Sequence, residues 1–333
     1  MIISKTPFRI SFFGGGTDYP VWYRENGGDV LATTIDKYCY ISCRYLPPFF
    51  EHKHRIVYSK IDNVKNISEI KHPAVRAILE YMKIDKGMEI HHDGDLPART
   101  GIGSSSSFTV GMLHALYALK GTMPNKTQLA NEAIHIERNV LEEHVGSQDQ
   151  VLAANGGFKR IRFNHEDSFD IIPITIGKIK MQSLHDHLML YFTGISRFAS
   201  EIAKTQIENI PKKKQELSTM QQMVNEAISI LNGNESLAEF GKLLHESWKL
   251  KMSLSDKISN SHIEEIYNVA REAGAIGGKL LGAGGGGFLL LFARPEDQPS
   301  IKKQLGKLIR VPFNFENQGS QIVVYEPDIT PEY

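Results

Sequence analysis

The hydrophobic pattern changes period along the chain, and the changes mark its elements. FRISFF (residues 8–13) alternates, and DVLATTIDKYCYISCRYL (29–46) and HRIVYSKI (54–61) are rich in β-branched and aromatic residues, with glycine and proline between them. These segments predict a mixed sheet. From Ser104 the period becomes helical, because Phe108, Met112, Ala115, Leu116 and Leu119 recur on one face. A second helix is expected from a Thr127 N-cap to about His144. A strand-rich section follows (GGFKRIRF, FDIIPITI, HLMLYFTGI), then a long polar helical region from about Ser200 to Lys251. The remainder reads as helix (HIEEIYNVAREAG), glycine loop, strand (GFLLLFA), helix and two short strands (RVPFNF, QIVVYE). The expected fold is α+β with two domains: a mixed-sheet unit over 1–184 and a two-layer α/β sandwich over 185–333.

Composition narrows the function classes. The 333 residues suit two domains, and 41% hydrophobic with 23% charged residues is globular composition. Lys plus Arg balances Asp plus Glu at 38 each, so no net field favours nucleic acid or an anionic membrane. Phosphate recognition must then be local. The opening MIISKTPFRISFFGGG has no signal-peptide pattern and no apolar run is long enough to span a bilayer, so a cytoplasmic protein is expected. Cys39 and Cys43 lie in one strand-like stretch, about 13 Å apart if extended, too far for a disulfide. They are read as buried free thiols.

Three glycine-rich segments carry candidate chemistry. In TPFRISFFGGGTDY (6–19), a strand delivers Arg9 and ends in Gly14, Gly15 and Gly16 before Thr17 and Asp18. It reads either as a tight turn with Asp18 as an N-cap or as a close approach to a ligand. In LPARTGIGSSSSF (96–108), a glycine and serine loop runs into a helix, where free amides and the helix dipole make an anion site. Four serines exceed what one cap requires. The third, KLLGAGGGGF (279–288), matches G-x-G-x-x-G, but it is read as following a helix-like segment and it leads into a strand, which excludes a dinucleotide-binding turn. No P-loop motif occurs.

Two carboxylates stand out. Glu137 falls at i+7 in the inward series Ala130, Ile134, Glu137, Leu141, and a buried carboxylate needs a cation or donors. Arg138 or another element could serve. Asp149, in GSQDQ, lies beyond that helix and could cap the next turn. The histidines show no metal-ligand spacing.

Together these segments resemble the ordered signatures of the GHMP kinases: an N-terminal substrate motif, a central phosphate loop (PARTGIGSS) and a C-terminal GAGGGG. PFRISFFGGGTD, GSQDQ, YFTGISR and GGKLLGAGGGGF look most similar to the bacterial D-glycero-D-manno-heptose 7-phosphate kinases. The resemblance implies a two-domain kinase that uses ATP and Mg²⁺ and makes a heptose 1,7-bisphosphate towards nucleotide-activated heptose. It implies ATP phosphates held by Pro97, Gly101, Ile102, Gly103, Ser104, Ser105, Ser106 and Ser107, and magnesium held by Ser105 and Glu137. Asp149 would accept or orient the sugar hydroxyl proton, and Arg9 would neutralise charge at the transfer point. Gly15, Gly16, Thr17, Asp18, Gly284 and Gly285 would contact the sugar, with Arg197 on a distal phosphate and Lys249, Lys251, Arg44 and Arg55 as alternatives. Other readings are a kinase for fucose or free heptose and a catalytically silent sugar and ATP sensor. The implied partners are ATP and a sugar phosphate; a homo-oligomer is left open.

Overall fold

The computed structural model describes residues 1–194 and 199–327. The chain opens with β1 (Ile2–Phe13), α1 (Pro20–Asn26), β2 (Gly28–Tyr45), β3 (His54–Val57), β4 (Ile61–Val64), α2 (Pro73–Tyr81) and β5 (Met88–Gly94). Helices α3 (Ser104–Leu119), α4 (Lys126–His135) and α5 (Gln148–Asn155) follow, then β6 (Lys159–Phe163), β7 (Phe169–Pro173), α6 (Lys178–Asp186) and β8 (Leu188–Phe192). Next come α7 (Ala199–Asn209), α8 (Lys214–Asn232), α9 (Leu237–Met252) and α10 (Ser261–Glu272). The last elements are β9 (Gly277–Leu280), β10 (Phe288–Phe292), α11 (Gln298–Gln304), β11 (Ile309–Val311), β12 (Phe315–Glu316) and β13 (Gln321–Tyr325). The class is α+β, as the sequence predicts.

The long β2 is the spine of a nine-stranded mixed sheet. β1 runs antiparallel along one edge of it, while the other edge is shared between β6 at residues 28–32 and β5 at residues 39–45. Only β3 with β5 is parallel among the pairs formed by these strands. α3 lies across β1 and β2 and is apolar nearly all round, the pattern of a buried helix. Gly111 permits this approach: a Cβ there would sit 2.8 Å from Thr6 Oγ1.

A second, antiparallel sheet has the order β11-β8-β10-β9, with α9 against β9. Phe240 of α9 packs edge-on against Phe12 and Phe13 at the end of β1, with centroids 5.6 and 5.1 Å apart. Such contacts fix the second sheet against the first.

Several expectations need correction. β12 and β13 pair with β2 and β1, so the expected second domain, 185–333, does not close on itself: its last strands complete the first sheet. The helix expected from Thr127 begins at an Asn125 N-cap, whose Oδ1 accepts from the Gln128 amide at 2.8 Å. That helix does not reach His144; it ends in one π-helical turn, Ile136–Val140, and Glu142 follows with φ of 53°. Pro211 and the Gly233–Ser236 turn divide the polar helical region. α6, which the sequence does not signal, lies between the second and third strands of the strand-rich section. Finally, β9, not a helix, precedes the C-terminal glycine loop, so the dinucleotide turn is excluded only by the strand that follows. Cys39 and Cys43 are buried and form no disulfide.

Candidate active site

The phosphate loop, residues 95–103, gets its shape from two glycines in the left-handed region, Gly101 (φ 80°) and Gly103 (φ 76°). Gly103 is the N-cap of α3 and offers no side chain, so the first-turn amides of this 16-residue helix remain uncapped at the positive end of its dipole. Ser104 turns back to accept from the Arg99 amide, and Thr100 donates to the exposed Pro97's carbonyl at 2.6 Å. Ile102 is fully buried, and its carbonyl accepts from the Arg9 amide. Pro97 and Ile102 thus shape the loop through their backbones.

The four serines divide their work. Ser107 donates to the Pro7 carbonyl and Ser106 to Glu137 Oε2, each at 2.9 Å, while Ser105 is exposed beside them. The hydroxyl touching Glu137 is therefore that of Ser106, not of Ser105 as the resemblance implied. Adjacent residues on a helix point about 100° apart, so the two serines cannot share one direction.

Glu137 is fully buried in the π turn. Burial, with nearby Glu143, raises its pKa to about 7, against the lowering effect of the Thr109, Ser106 and Gln150 side chains. Its Oε2 accepts from Ser106 and from Gln150 Nε2 at 2.5 Å, whereas its buried Oε1 has no partner among the described residues. A carboxylate with one oxygen unsatisfied beside an anion-binding helix end fits a hard divalent cation. No group of three or more His, Cys, Asp or Glu residues suited to a metal occurs among the described residues, so phosphate oxygens and water would complete the shell.

Arg9 and Asp149 form the centre. β1 carries Arg9 beneath the phosphate loop, and the first turn of α5 presents Asp149, a favourable place for a carboxylate. The guanidinium grips Asp149 with two bonds, Nε to Oδ1 at 2.7 Å and Nη2 to Oδ2 at 2.6 Å, and donates Nη1 to the Gly101 carbonyl at 2.5 Å. Asp149 is 23% exposed, so a second ligand can reach it.

Asp18 lies beside this pair. Its carboxylate accepts from the Gly16 amide at 2.9 Å and the Gln148 amide at 3.4 Å, and Gly146 leaves room for it because a Cβ there would fall 1.9 Å from Oδ2. Burial raises its pKa, and Asp149 acts in the same direction. The helix that follows is capped at Tyr19, so Asp18 is not an N-cap. Gly15 is partly exposed above Ser11 and Gln148. Thr17, expected on the sugar, is instead spent inside: its hydroxyl donates to the Gly14 carbonyl at 2.8 Å, with the Asp29 carbonyl at 3.0 Å, and accepts from the Asp29 amide.

The C-terminal glycine loop rests directly on the phosphate loop. A Cβ on Gly282 would lie 2.3 Å from Gly101 Cα, and one on Gly287 would lie 2.2 Å from the Thr100 carbonyl oxygen. Gly284 and Gly285 pack on Ile258, and the Gly285 amide bonds the Ile258 carbonyl. Gly282→Ala should therefore lower kcat/KM for ATP at least about tenfold and cost about 1–3 kcal/mol of stability, as overpacking does. Gly121→Ala is the control, since Gly121 shares the left-handed φ (69°) but a Cβ there would meet nothing within 4 Å. Steady-state kinetics and thermal melts of both variants check this; equal behaviour would refute backbone contact as the cause.

Two buried lysines lie behind the site. Lys279, on β9, donates to the Phe12 carbonyl at 2.8 Å, and burial drives its pKa well down. Lys251, on α9, is pushed down to about 7 by burial and by Arg9, against Asp18 and Asp149. Lys279 was missed in the sequence, although a lysine inside GGKLL visibly interrupts an apolar strand. Lys249 pairs with Glu246, and Arg44 and Arg55 lie beside Glu89, so these alternatives are already engaged. Arg197 lies outside the described residues.

The order of these parts along the chain matches family models for the N-terminal domain of GHMP kinases over residues 68–157 and for the C-terminal domain over 226–310. The chain belongs to the GHMP kinases. It is an ATP-dependent phosphotransferase acting on an alcohol group, a sugar kinase by its relatives. This GHMP kinase is 30% identical to a D-glycero-alpha-D-manno-heptose 7-phosphate kinase from Campylobacter jejuni, over 92% of this chain and 93% of that one. It is 24% identical to a bifunctional fucokinase/GDP-fucose pyrophosphorylase from Arabidopsis thaliana, covering 90% of this chain and 30% of that protein. Its fold matches a D-glycero-D-manno-heptose 1-phosphate kinase from Bacteroides thetaiotaomicron with TM-score 0.79 at 23% identity, over 98% of this chain and 100% of that one. No helix of the described residues is long and apolar enough to cross a membrane.

Proposed function

We propose that this kinase phosphorylates the anomeric C1 hydroxyl of D-glycero-D-manno-heptose 7-phosphate, giving the 1,7-bisphosphate. The observation that carries the reading is the Arg9–Asp149 pair, held between the phosphate loop and buried Asp18. ATP phosphates lie against the uncapped amides of α3, and the sugar lies over Asp18, Gly15 and Gly16. Asp149 orients the attacking hydroxyl, and Arg9 offsets charge on the transferred group, the positioning and electrostatics that phosphoryl transfer needs. Because Asp149 is ion-paired, orientation outweighs proton removal in its role. Glu137 and Ser106, whose hydroxyl touches it, would hold Mg²⁺, which neutralises phosphate charge when bound. ATP supply and the two buried cysteines without a disulfide suit a cytoplasmic setting.

The 7-phosphate is the finer part of the proposal, and it rests on the Campylobacter relative's 30% identity together with the opening GGGTD segment. Arg197 is the cation proposed to meet that phosphate. Heptose 7-phosphate should exceed free heptose by at least about 100-fold in kcat/KM, since charged hydrogen bonds of about 1.5–3 kcal/mol each reach that ratio quickly. The assay is transfer to heptose 7-phosphate, heptose 1-phosphate, free heptose and fucose, with product position read by NMR. Equal efficiency on phosphorylated and free heptose would move the assignment to an unphosphorylated sugar, and no transfer to any would favour a silent sensor.

A further inference from the structure

The carbonyls of the C-terminal glycine loop are held from below by side chains that have no part in the phosphoryl transfer described above. Lys251 Nζ donates to the carbonyls of Leu280, at 3.1 Å, and Gly282. Gln206 Nε2, from α7, donates to the Ala283 carbonyl at 2.5 Å. Asn260 Nδ2, at the start of α10, donates to the Gly285 carbonyl at 3.3 Å, and Thr193 Oγ1 donates to the Gly287 carbonyl at 2.9 Å. Three helices and the end of β8 thus converge on one loop.

The planarity of the trans peptide gives this arrangement a direction. The carbonyl of one residue and the N–H of the next lie in one plane and point opposite ways. Fixing the Gly282 carbonyl on Lys251 therefore turns the Ala283 amide away from α9, and fixing the Gly285 carbonyl on Asn260 turns the Gly286 amide away from α10. Among the described residues neither amide makes a hydrogen bond. The same loop packs Gly282 against Gly101 and Gly287 against Thr100 of the phosphate loop, and at its end, opposite the Gly287 carbonyl held by Thr193, the Phe288 amide bonds the Thr100 carbonyl.

Lys251 is the cation of the set. It is 7% exposed, and besides the two carbonyls it has Arg9, Asp18, Asp149 and Lys279 within electrostatic reach and Trp248 beneath its ammonium at 5.9 Å from the ring centroid. A lysine buried next to Arg9 and Lys279 is costly to keep. Packing alone would be served by methionine.

We propose that Lys251, with Gln206 and Asn260, is a positioning residue that clamps the glycine loop's carbonyls outward, so that the Ala283 and Gly286 amides are preset to meet an anionic phosphate oxygen during transfer. This rests on the reading of the site as an ATP-dependent sugar kinase. It assigns the loop's conformation to buried side chains packed against it, rather than to its glycines alone.

The test uses Lys251→Met and Gln206→Leu in the full chain, with two readouts. Kinetics should show kcat lowered about 100-fold for Lys251→Met and about tenfold for Gln206→Leu, with the sugar KM within about threefold of wild type and the KM for ATP raised, because the same amides meet the bound nucleotide before and during transfer. Amide hydrogen exchange over 281–287, with and without a non-hydrolysable ATP analogue, should show protection by the nucleotide in the wild type that is lost in Lys251→Met. The exchange arm needs no sugar, so it judges the clamp even where the sugar assignment fails. Unchanged kcat per folded molecule in Gln206→Leu would overturn the proposal, and so would nucleotide protection equal to wild type in either variant. If Lys251→Met does not fold, Gln206→Leu, which removes no charge, decides between the outcomes.

Discussion

Asp149→Asn is expected to lower kcat by at least about 100-fold while leaving the dissociation constant for ATP nearly unchanged, the range typical for loss of a group that orients or deprotonates the nucleophile. The side chain keeps its shape, but its charge and both acceptor oxygens for Arg9 do not survive: an amide can accept one of the two bonds and turns N–H groups towards the other donor. Arg9, with a 5% exposed side chain, retains the Gly101 carbonyl and one bond to the new amide, and one of its donors is left unpaired. The variant should therefore also lose about 1–3 kcal/mol of stability, the cost of an unpaired buried donor. Turnover and nucleotide calorimetry on the folded variant check both halves. Turnover near wild type would remove Asp149 from the reaction.

Glu137→Gln should abolish most activity for a different reason, and its stability should move the other way. The folded carboxyl titrates at about 7 instead of 4.5, so the metal-free protein takes up an extra proton on folding between those values. Stability therefore falls as pH rises through that window, and above it the buried charge costs about 3 kcal/mol. Glutamine carries no charge to bury. In chelator at pH 8 the variant should be more stable than wild type by about 1–3 kcal/mol, less the cost of its own unmet amide. At pH 4.5 this advantage should vanish. With magnesium present, the wild type should gain stability that the variant does not. Urea unfolding at the two pH values, with and without Mg²⁺, measures all of this. A variant that is less stable at pH 8 in chelator would make Glu137 a structural hydrogen-bond hub.

Much of this was legible in the chain itself. The helical spacing from Phe108 to Leu119 and the inward place of Glu137 each follow from local periodicity, which depends only on residues a few positions apart. The expectation that Cys39 and Cys43 stay apart follows from strand geometry in the same way. Errors gathered where distant segments decide. Nothing within KIKMQSLHD separates a helix from the strands around it, and nothing in RVPFNF or QIVVYE says that the strands beyond residue 311 leave the second sheet for β2 and β1.

The sequence by itself determined the class of elements, the order of the three glycine-rich segments and the kinase family that they signal, because these rest on spacing and on residue chemistry. Tertiary structure alone decided which of the serines meets Glu137, that Thr17 faces inward, that Arg9 grips Asp149 across 140 positions of chain, and that Lys251 and Lys279 lie buried behind the site. Each of these is a contact between segments far apart in sequence, fixed when α3 and α5 dock on β1 and the second sheet closes against Phe12 and Phe13. A side chain's direction and partners are set by that docking, and local pattern carries no record of it.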